Sequence, residues 1–230
     1  MLSKPSTDIT DKIIIDFKPL SPQHGDLFKG RDPLEVARRL EIAGVLGLSV
    51  VTEEEHFGGS LALLRAITKT ASLPVLRKDF IKTEDDLRET LDCGARGVLL
   101  ICSTITQIPG ETASSSGALG ALYEMALSLG LEPVVEVHTS AEMELAKNIG
   151  ARIIGINNKD ITVLEKDAGT VDLTLELIKA APRGTFVISE SGISCREDAA
   201  RTLEAGAGPV LIGPAFWQGT YEILSFSVGP

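Results

Sequence analysis

The chain predicts an α/β fold, a parallel eight-stranded (β/α)8 (TIM) barrel, and three observations carry that expectation. Apolar, β-branched runs recur eight times with helical stretches between them. Four of the joints that lead into a run combine glycine with a small residue. The 230 residues come close to the ~250 that such barrels usually occupy.

In order along the chain, the runs cover residues 13–18, 47–52, 74–79, 97–102, 133–138, 153–158, 186–191 and 209–213. Each is apolar along most of its length instead of alternating, as strands covered on both faces are. The joints Ala43-Gly44, Gly94-Ala95-Arg96-Gly97, Gly150-Ala151-Arg152 and Gly206-Ala207-Gly208 each close a helical stretch just before a run. Glycine suits the left-handed residue that ends a helix, and a small neighbour lets helix and strand pack closely. Singly these glycines are helix stops; their recurrence is a half-repeat signature of the barrel. The competing doubly wound open sheet carries fewer strands and a Gly-rich turn after its first strand, and none follows residues 13–18. Residues 106–120, with Pro109, Gly110 and Ser114-Ser115-Ser116, read as a long mobile loop after the fourth strand. Beyond Phe216-Trp217, residues 218–230 predict a short or irregular eighth helix, with Phe226 and Val228 either packed on the barrel or meeting a partner subunit. One barrel domain over residues 1–230 accounts for the chain.

A hydrophobic content of 43% suits one large α/β domain. The net charge of -10 argues against a nucleic-acid partner, because such binding needs clustered Lys and Arg. A local basic pocket for an anionic small molecule stays compatible with it. Cys93, Cys102 and Cys195 have no CxxC spacing, so neither a disulfide framework nor a zinc site is indicated. The first eight residues lack a signal peptide's apolar core, and no apolar stretch reaches the ~18 residues of a membrane helix. A cytoplasmic protein without a membrane partner is expected.

The ends of the runs carry the chemistry. Asp16 and Lys18 close the first, Lys78 the third, Glu136 the fifth, Asn157 the sixth, and Glu190 with Ser191 the seventh. A parallel barrel delivers these ends to one rim. In Asp16-Phe17-Lys18 the charged pair shares one face while Phe17 turns to the helices, and Glu136 and His138 are related in the same way. An ammonium beside carboxylates is held protonated, whereas burial pulls the other way, so acid and base roles both stay open. A solvated rim of structural ion pairs is the plainer alternative. Ser191-Gly192-Ile193 and Ile212-Gly213-Pro214 stand where barrels form an anion cup from backbone N–H groups, and Ser21 adds a hydroxyl from the first rim loop. His24, His56 and His138 share no metal-ligand spacing, so no metal is assigned.

These residues, in this order, resemble the indole-3-glycerol phosphate synthases of tryptophan biosynthesis. The blocks that carry the resemblance are Ile14-Ile15-Asp16-Phe17-Lys18 with Ser21-Pro22, Ser49-Val50-Val51-Thr52-Glu53 with Phe57-Gly58-Gly59-Ser60, and Leu76-Arg77-Lys78-Asp79-Phe80-Ile81. Glu136-Val137-His138, Ile154-Gly155-Ile156-Asn157-Asn158-Lys159-Asp160, Glu190-Ser191-Gly192-Ile193 and Leu211-Ile212-Gly213 complete the set. The resemblance implies a lyase without a cofactor. It would close the ring of 1-(2-carboxyphenylamino)-1-deoxyribulose 5-phosphate, with loss of carbon dioxide and water, to give indole-3-glycerol phosphate. By position, Lys78 would be the general acid at the substrate carbonyl and Glu136 would handle the proton in the dehydration. Lys18 would hold the carboxylate, while Asn157 and Glu190, beside Asp16, would fix the sugar hydroxyls and the lysines. Ser21, Ser191, Gly192 and Gly213 would bind phosphate, with Phe80 and Lys159 also at the substrate.

The chain departs from the family pattern at Asp16, where Glu is usual, at Lys159, where Arg is usual, and at Pro214, which removes an N–H from the phosphate loop. The helical extension before the first strand is expected to be missing. A monomer or homodimer, with association to other tryptophan-pathway enzymes, is the expected assembly. Two other readings remain: another sugar-phosphate barrel lyase or isomerase, and a catalytically silent barrel acting as a binding subunit.

Overall fold

Eight parallel strands close into a barrel in chain order in the computed structural model, which describes residues 9–105, 115–164 and 169–223. The strands are β1 (Ile13–Phe17), β2 (Gly47–Val51), β3 (Val75–Lys78), β4 (Gly97–Ile101), β5 (Glu132–Val137), β6 (Ile153–Asn157), β7 (Phe186–Glu190) and β8 (Val210–Ile212). Each lies within one residue of the run that predicts it. Closure is made by β1 with β8, where Ile14 pairs with Leu211 and Ile15 with Ile212. A short antiparallel ribbon, Leu20–Ser21 against Gly25–Asp26, rises directly after β1.

The strands alternate with α1 (Pro33–Ala43), α2 (Leu61–Thr70), α3 (Glu84–Asp92), α4 (Ser115–Ser128), α5 (Ser140–Asn148), α6 (Asp172–Leu177), α7 (Arg196–Glu204) and α8 (Pro214–Trp217). Local chemistry sets their ends. Asp32 caps α1 by accepting from the Leu34 N–H, with Pro33 in the first turn, where its missing N–H is harmless. Thr83 with Asp86 and Thr139 with Glu142 form reciprocal capping boxes on α3 and α5. The four predicted glycine joints all carry positive φ, from +71° at Gly150 to +108° at Gly206. They are the left-handed stops that turn each helix into the next strand.

Strand alternation divides the core into layers. Ile14, Leu76, Leu99, Ile101, Val134, Ile188 and Leu211 fill the barrel lumen. The opposite strand faces pack on the helices: Ile13, Ile15, Phe17, Leu48 and Val50 meet Val36, Leu40, Leu64 and Ile67, while Val98, Leu100, Val135 and Ile156 meet Leu119, Tyr123, Ala126 and Met143. Burying each of these aliphatic side chains contributes about 1.5–3 kcal/mol. Arg77 and Ser189 are polar on this outward face among the described strand residues, and both stand behind the site.

One expectation is corrected. The predicted loop over 106–120 is helical from Ser115 onward, because Leu119, Leu122, Tyr123 and Ala126 supply a buried stripe against β4 and β5. Gly120 is tolerated there with Ile149 beside it. The remainder of that segment, and Phe226 and Val228, lie outside the described residues. The segment expected to form the eighth helix, residues 218–230, carries no helix over its described part, 218–223; the four-residue α8 stands just before it, and its Trp217 is buried against Phe17, Phe28 and Phe216.

Candidate active site

At the C-terminal ends of the strands the lumen changes from apolar to ionic. Lys78 reaches across it, donating from Nζ to Glu136 Oε2 at 3.0 Å and to Glu190 Oε2 at 3.1 Å. Glu190 is fully buried, and its carboxylate lies against Gly155, where any Cβ would overlap Oε1. Burial pushes its pKa up to about 7; the Lys78 charge opposes this, and Glu136 and Asp16 reinforce it. Among the described residues its Oε1 has no hydrogen-bond partner, and neither does the buried Asn157 Nδ2. Asn157 Oδ1 accepts the Lys159 N–H at 3.0 Å, so the amide's donor end is left for a ligand.

Asp16 is anchored on both sides. Ser49 Oγ donates to its carboxylate at 2.7 Å, and Trp217 Nε1 donates to its backbone oxygen at 2.7 Å. Lys18, 5% exposed, carries its ammonium 5.2 Å from the centre of the Phe57 ring, close enough for a cation–π contact.

Two cavities meet at the lysines. A narrow, mainly apolar slot is walled by Phe57, Phe80, Leu99, Ile101 and Ile161, and Lys18 and Lys78 border it. The same two lysines border a polar cleft of about 590 Å³ that includes Asp16, Ser21, Lys159, Ser191, Gly192 and Gly213. That volume falls within the ~300–1,000 Å³ of small-molecule sites. At the cleft's far end Ser191 and Gly192 turn left-handed, with φ of +60° and +69°. Gly213 precedes Pro214, which opens α8, so the helix keeps its start but the turn loses one N–H. Lys159 Nζ donates to Gln23 Oε1 at 2.8 Å. His24 beside it is depressed below ordinary histidine by partial burial and by Lys159, Lys18 and Lys29. The cleft is therefore locally cationic in an acidic chain.

All twelve predicted site residues gather at this mouth: most line the slot or the cleft, while Glu136 and Glu190 join through Lys78 and Asn157 through Lys159. Three supporting residues escaped the sequence reading. Arg77, 4% exposed, donates to Thr52 Oγ1 at 2.9 Å, the Asp86 carbonyl at 2.9 Å, Thr90 Oγ1 at 3.1 Å and Asp79 Oδ2 at 3.0 Å. Asp79 in turn accepts the Phe80 N–H at 2.8 Å. The segment from Lys78 to Phe80 is thus clamped from behind, and charges flanking a lysine at the end of a buried run were the available signal.

Glu53 holds the β2 loop by accepting the N–H groups of His56 and Phe57 at 2.8 and 3.0 Å. Burial raises its pKa, but these bonds and the His56 ring outweigh it, leaving the carboxylate below its usual range. Asn158 is the third. His138 is structural, with Nδ1 on the Asn157 carbonyl at 2.8 Å. Among the described residues Glu53, Glu55 and His56 bring potential metal ligands within 4.8 Å, but Glu53 is already engaged within its own loop. No helix among the described residues is long and apolar enough to cross a membrane.

The sequence profile of indole-3-glycerol phosphate synthase matches residues 2–222. The chain belongs to that family. Indole-3-glycerol phosphate synthase of Pyrococcus furiosus is 43% identical over 207 residues, covering 90% of this chain and 86% of that protein. The Thermococcus kodakarensis synthase is 40% identical over 90% of this chain and 86% of its own length. That of Chloroherpeton thalassium is 37% identical over 88% of this chain and 73% of its own. A solved N-acetylmannosamine-6-phosphate 2-epimerase from Clostridium perfringens shares the barrel at TM-score 0.63 and 16% identity, with 94% of this chain and 92% of that one covered. At that identity the likeness extends to the fold alone, whereas the synthase relatives share the sequence.

Proposed function

We propose that this barrel is a carbon–carbon lyase that converts 1-(2-carboxyphenylamino)-1-deoxyribulose 5-phosphate to indole-3-glycerol phosphate, carbon dioxide and water. The observation that carries the reading is that Lys18 and Lys78 border both cavities. A molecule with an aromatic ring at one end and a phosphate at the other matches that pair in chemistry, ring toward the apolar slot and phosphate in the cleft, with its reacting carbonyl between the ammonium groups.

Lys78, held by two carboxylates, acts as general acid. As the aromatic carbon bonds to the carbonyl carbon, the carbonyl oxygen takes the Lys78 proton and becomes a hydroxyl. The ring carboxylate then leaves as carbon dioxide, and its electron pair restores aromaticity. In the dehydration the C–O bond breaks and the hydroxyl leaves as water with a proton given by Glu136, while the neighbouring ring CH2 gives up a proton to Glu136 and the double bond of the indole forms. Lys18 holds the substrate carboxylate beforehand, and Asn157 Nδ2, buried with no partner among the described residues, donates to a sugar oxygen. Ser21, Ser191, Gly192 and Gly213 take the phosphate. Lys159, positioned by Gln23, meets substrate as a single ammonium instead of the two-pronged grip an arginine would give.

Incubating the purified protein with the carboxyphenylamino-deoxyribulose phosphate and following indole fluorescence tests the reading. Turnover is expected, with the Lys78→Ala variant slower by about 10²–10⁴-fold; a wild type indistinguishable from that variant would sink it.

A further inference from the structure

The turn that ends β7 is held in a shape one of its own residues disfavours. Ser191 sits at φ +60°, a left-handed conformation uncommon outside glycine that persists where the surroundings impose it. The next residue, Gly192, shares it at +69°. Asn158, 4% exposed and immediately beyond β6, reaches this turn. Its Nδ2 donates to the Ser191 carbonyl at 3.1 Å, the Glu190 carbonyl at 2.9 Å and Ser189 Oγ at 3.2 Å. Its Oδ1 accepts from the N–H and the hydroxyl of Thr174 in α6, both at 3.0 Å, and the Thr174 and Ser189 hydroxyls are 2.8 Å apart. A Cβ on Gly192 would come within 3.3 Å of Asn158 Cβ, and as close to the Gly169 and Thr170 backbone, so the turn rests on this side chain and on that backbone.

We propose that Asn158 is a positioning residue for phosphate binding: by clamping the Ser191 carbonyl it keeps the Ser191-Gly192 turn in the left-handed shape that presents the cup to the anion. This rests on the reading that the cup receives the substrate phosphate. Asn158 does not border the cleft and acts through Ser191. Its effect separates from that of Glu190, because the Glu190 carbonyl also accepts the Asn158 backbone N–H at 2.8 Å and β6–β7 pairing joins Asn157 to Glu190. Both survive side-chain truncation, so the Lys78 constellation stays while the cup loosens.

The test measures KM and kcat for the phosphorylated substrate and, by calorimetry, the Kd for inorganic phosphate. In Asn158→Ala, KM and the phosphate Kd rise together by about tenfold while kcat stays within about threefold. Glycine adopts φ +60° unaided, so in a Ser191→Gly background the same substitution costs about twofold or less. Unchanged phosphate affinity, a fall confined to kcat, or an equal penalty in both backgrounds would overturn the proposal. Should Asn158→Ala fail to fold, Thr174→Val removes one prop of the clamp and is expected to raise the phosphate Kd about threefold; no rise counts against it. Phosphate affinity is read without turnover, so a wild type that binds phosphate but forms no indole product contradicts the reaction and leaves the clamp tested.

Discussion

At the scale of single residues, the site turns on one ammonium shared between two carboxylates of different character. Glu190 sits where burial dominates, and its pKa is pushed up to about 7. In the unfolded chain an ordinary glutamate ionises near pH 4.5. Between pH 4.5 and about 7 the unfolded state therefore sheds a proton that the folded state keeps. The stability Glu190 contributes is fully present below that window and is lost as pH rises through it. Glu190→Gln removes the ionisation, so its melting temperature relative to wild type is expected to climb from pH 4.5 to 7.5; a pH-independent difference would contradict the assignment. The wild-type pH profile of kcat/KM should also carry a transition near 7 that Glu190→Gln lacks. Lys18, Lys78, Glu136 and Glu190 were legible in the sequence because charge at the end of an apolar run has few innocent explanations. Asn158 and Arg77 were not, because a polar side chain turned toward the helices has the same local spelling as one in a loop.

At the scale of elements, three of the strand ends that form the site are secured by side chains behind it or on neighbouring elements. The end of β3 has the Arg77–Asp79–Thr52 cluster, that of β1 has Ser49 and Trp217, and that of β7 has Asn158. Arg77 and Asp79 form an ion pair whose side chains are 5% and 18% exposed. Removing Asp79 leaves the buried guanidinium with neutral acceptors and the half-exposed Glu89 3.7 Å away, so Asp79→Ala is expected to destabilise the fold by about 2 kcal/mol in denaturant unfolding and to lower kcat through a displaced Lys78. A loss below about 1 kcal/mol, the scale of exposed pairs, would show the cluster to be ornamental. The strands were readable to within a residue because parallel strands buried on both faces leave continuous apolar runs. The start of α4 was misread because Pro109, Gly110 and the run Ser114-Ser115-Ser116 spell a loop when the apolar stripe of Leu119, Leu122 and Tyr123 is not weighed against them.

At the scale of the whole molecule, an acidic chain carries a basic cleft. A net charge of -10 repels a phosphorylated substrate at long range, while Lys18, Lys78 and Lys159 attract it locally. Salt screens the exposed part of that attraction over a length of about 8–10 Å at physiological strength. KM is therefore expected to rise several-fold between about 0.05 and 0.5 M salt with kcat nearly constant; a KM that falls with salt would mean that the overall negative field governs binding. The barrel was visible from eight runs and four glycine joints, whereas the division of its mouth into slot and cleft was not. That division depends on residues far apart in the chain, Phe57, Phe80 and Ile161 among them, meeting around the lysines.

A crystal structure of the protein with indole-3-glycerol phosphate tests the central claim most directly. The account predicts the indole ring in the slot between Phe57, Phe80 and Ile161, the phosphate on the Ser191-Gly192 and Gly213 turns, and the Lys78 ammonium beside the bond that closes the ring. Product lying in the opposite sense, or bound away from both lysines, would contradict it.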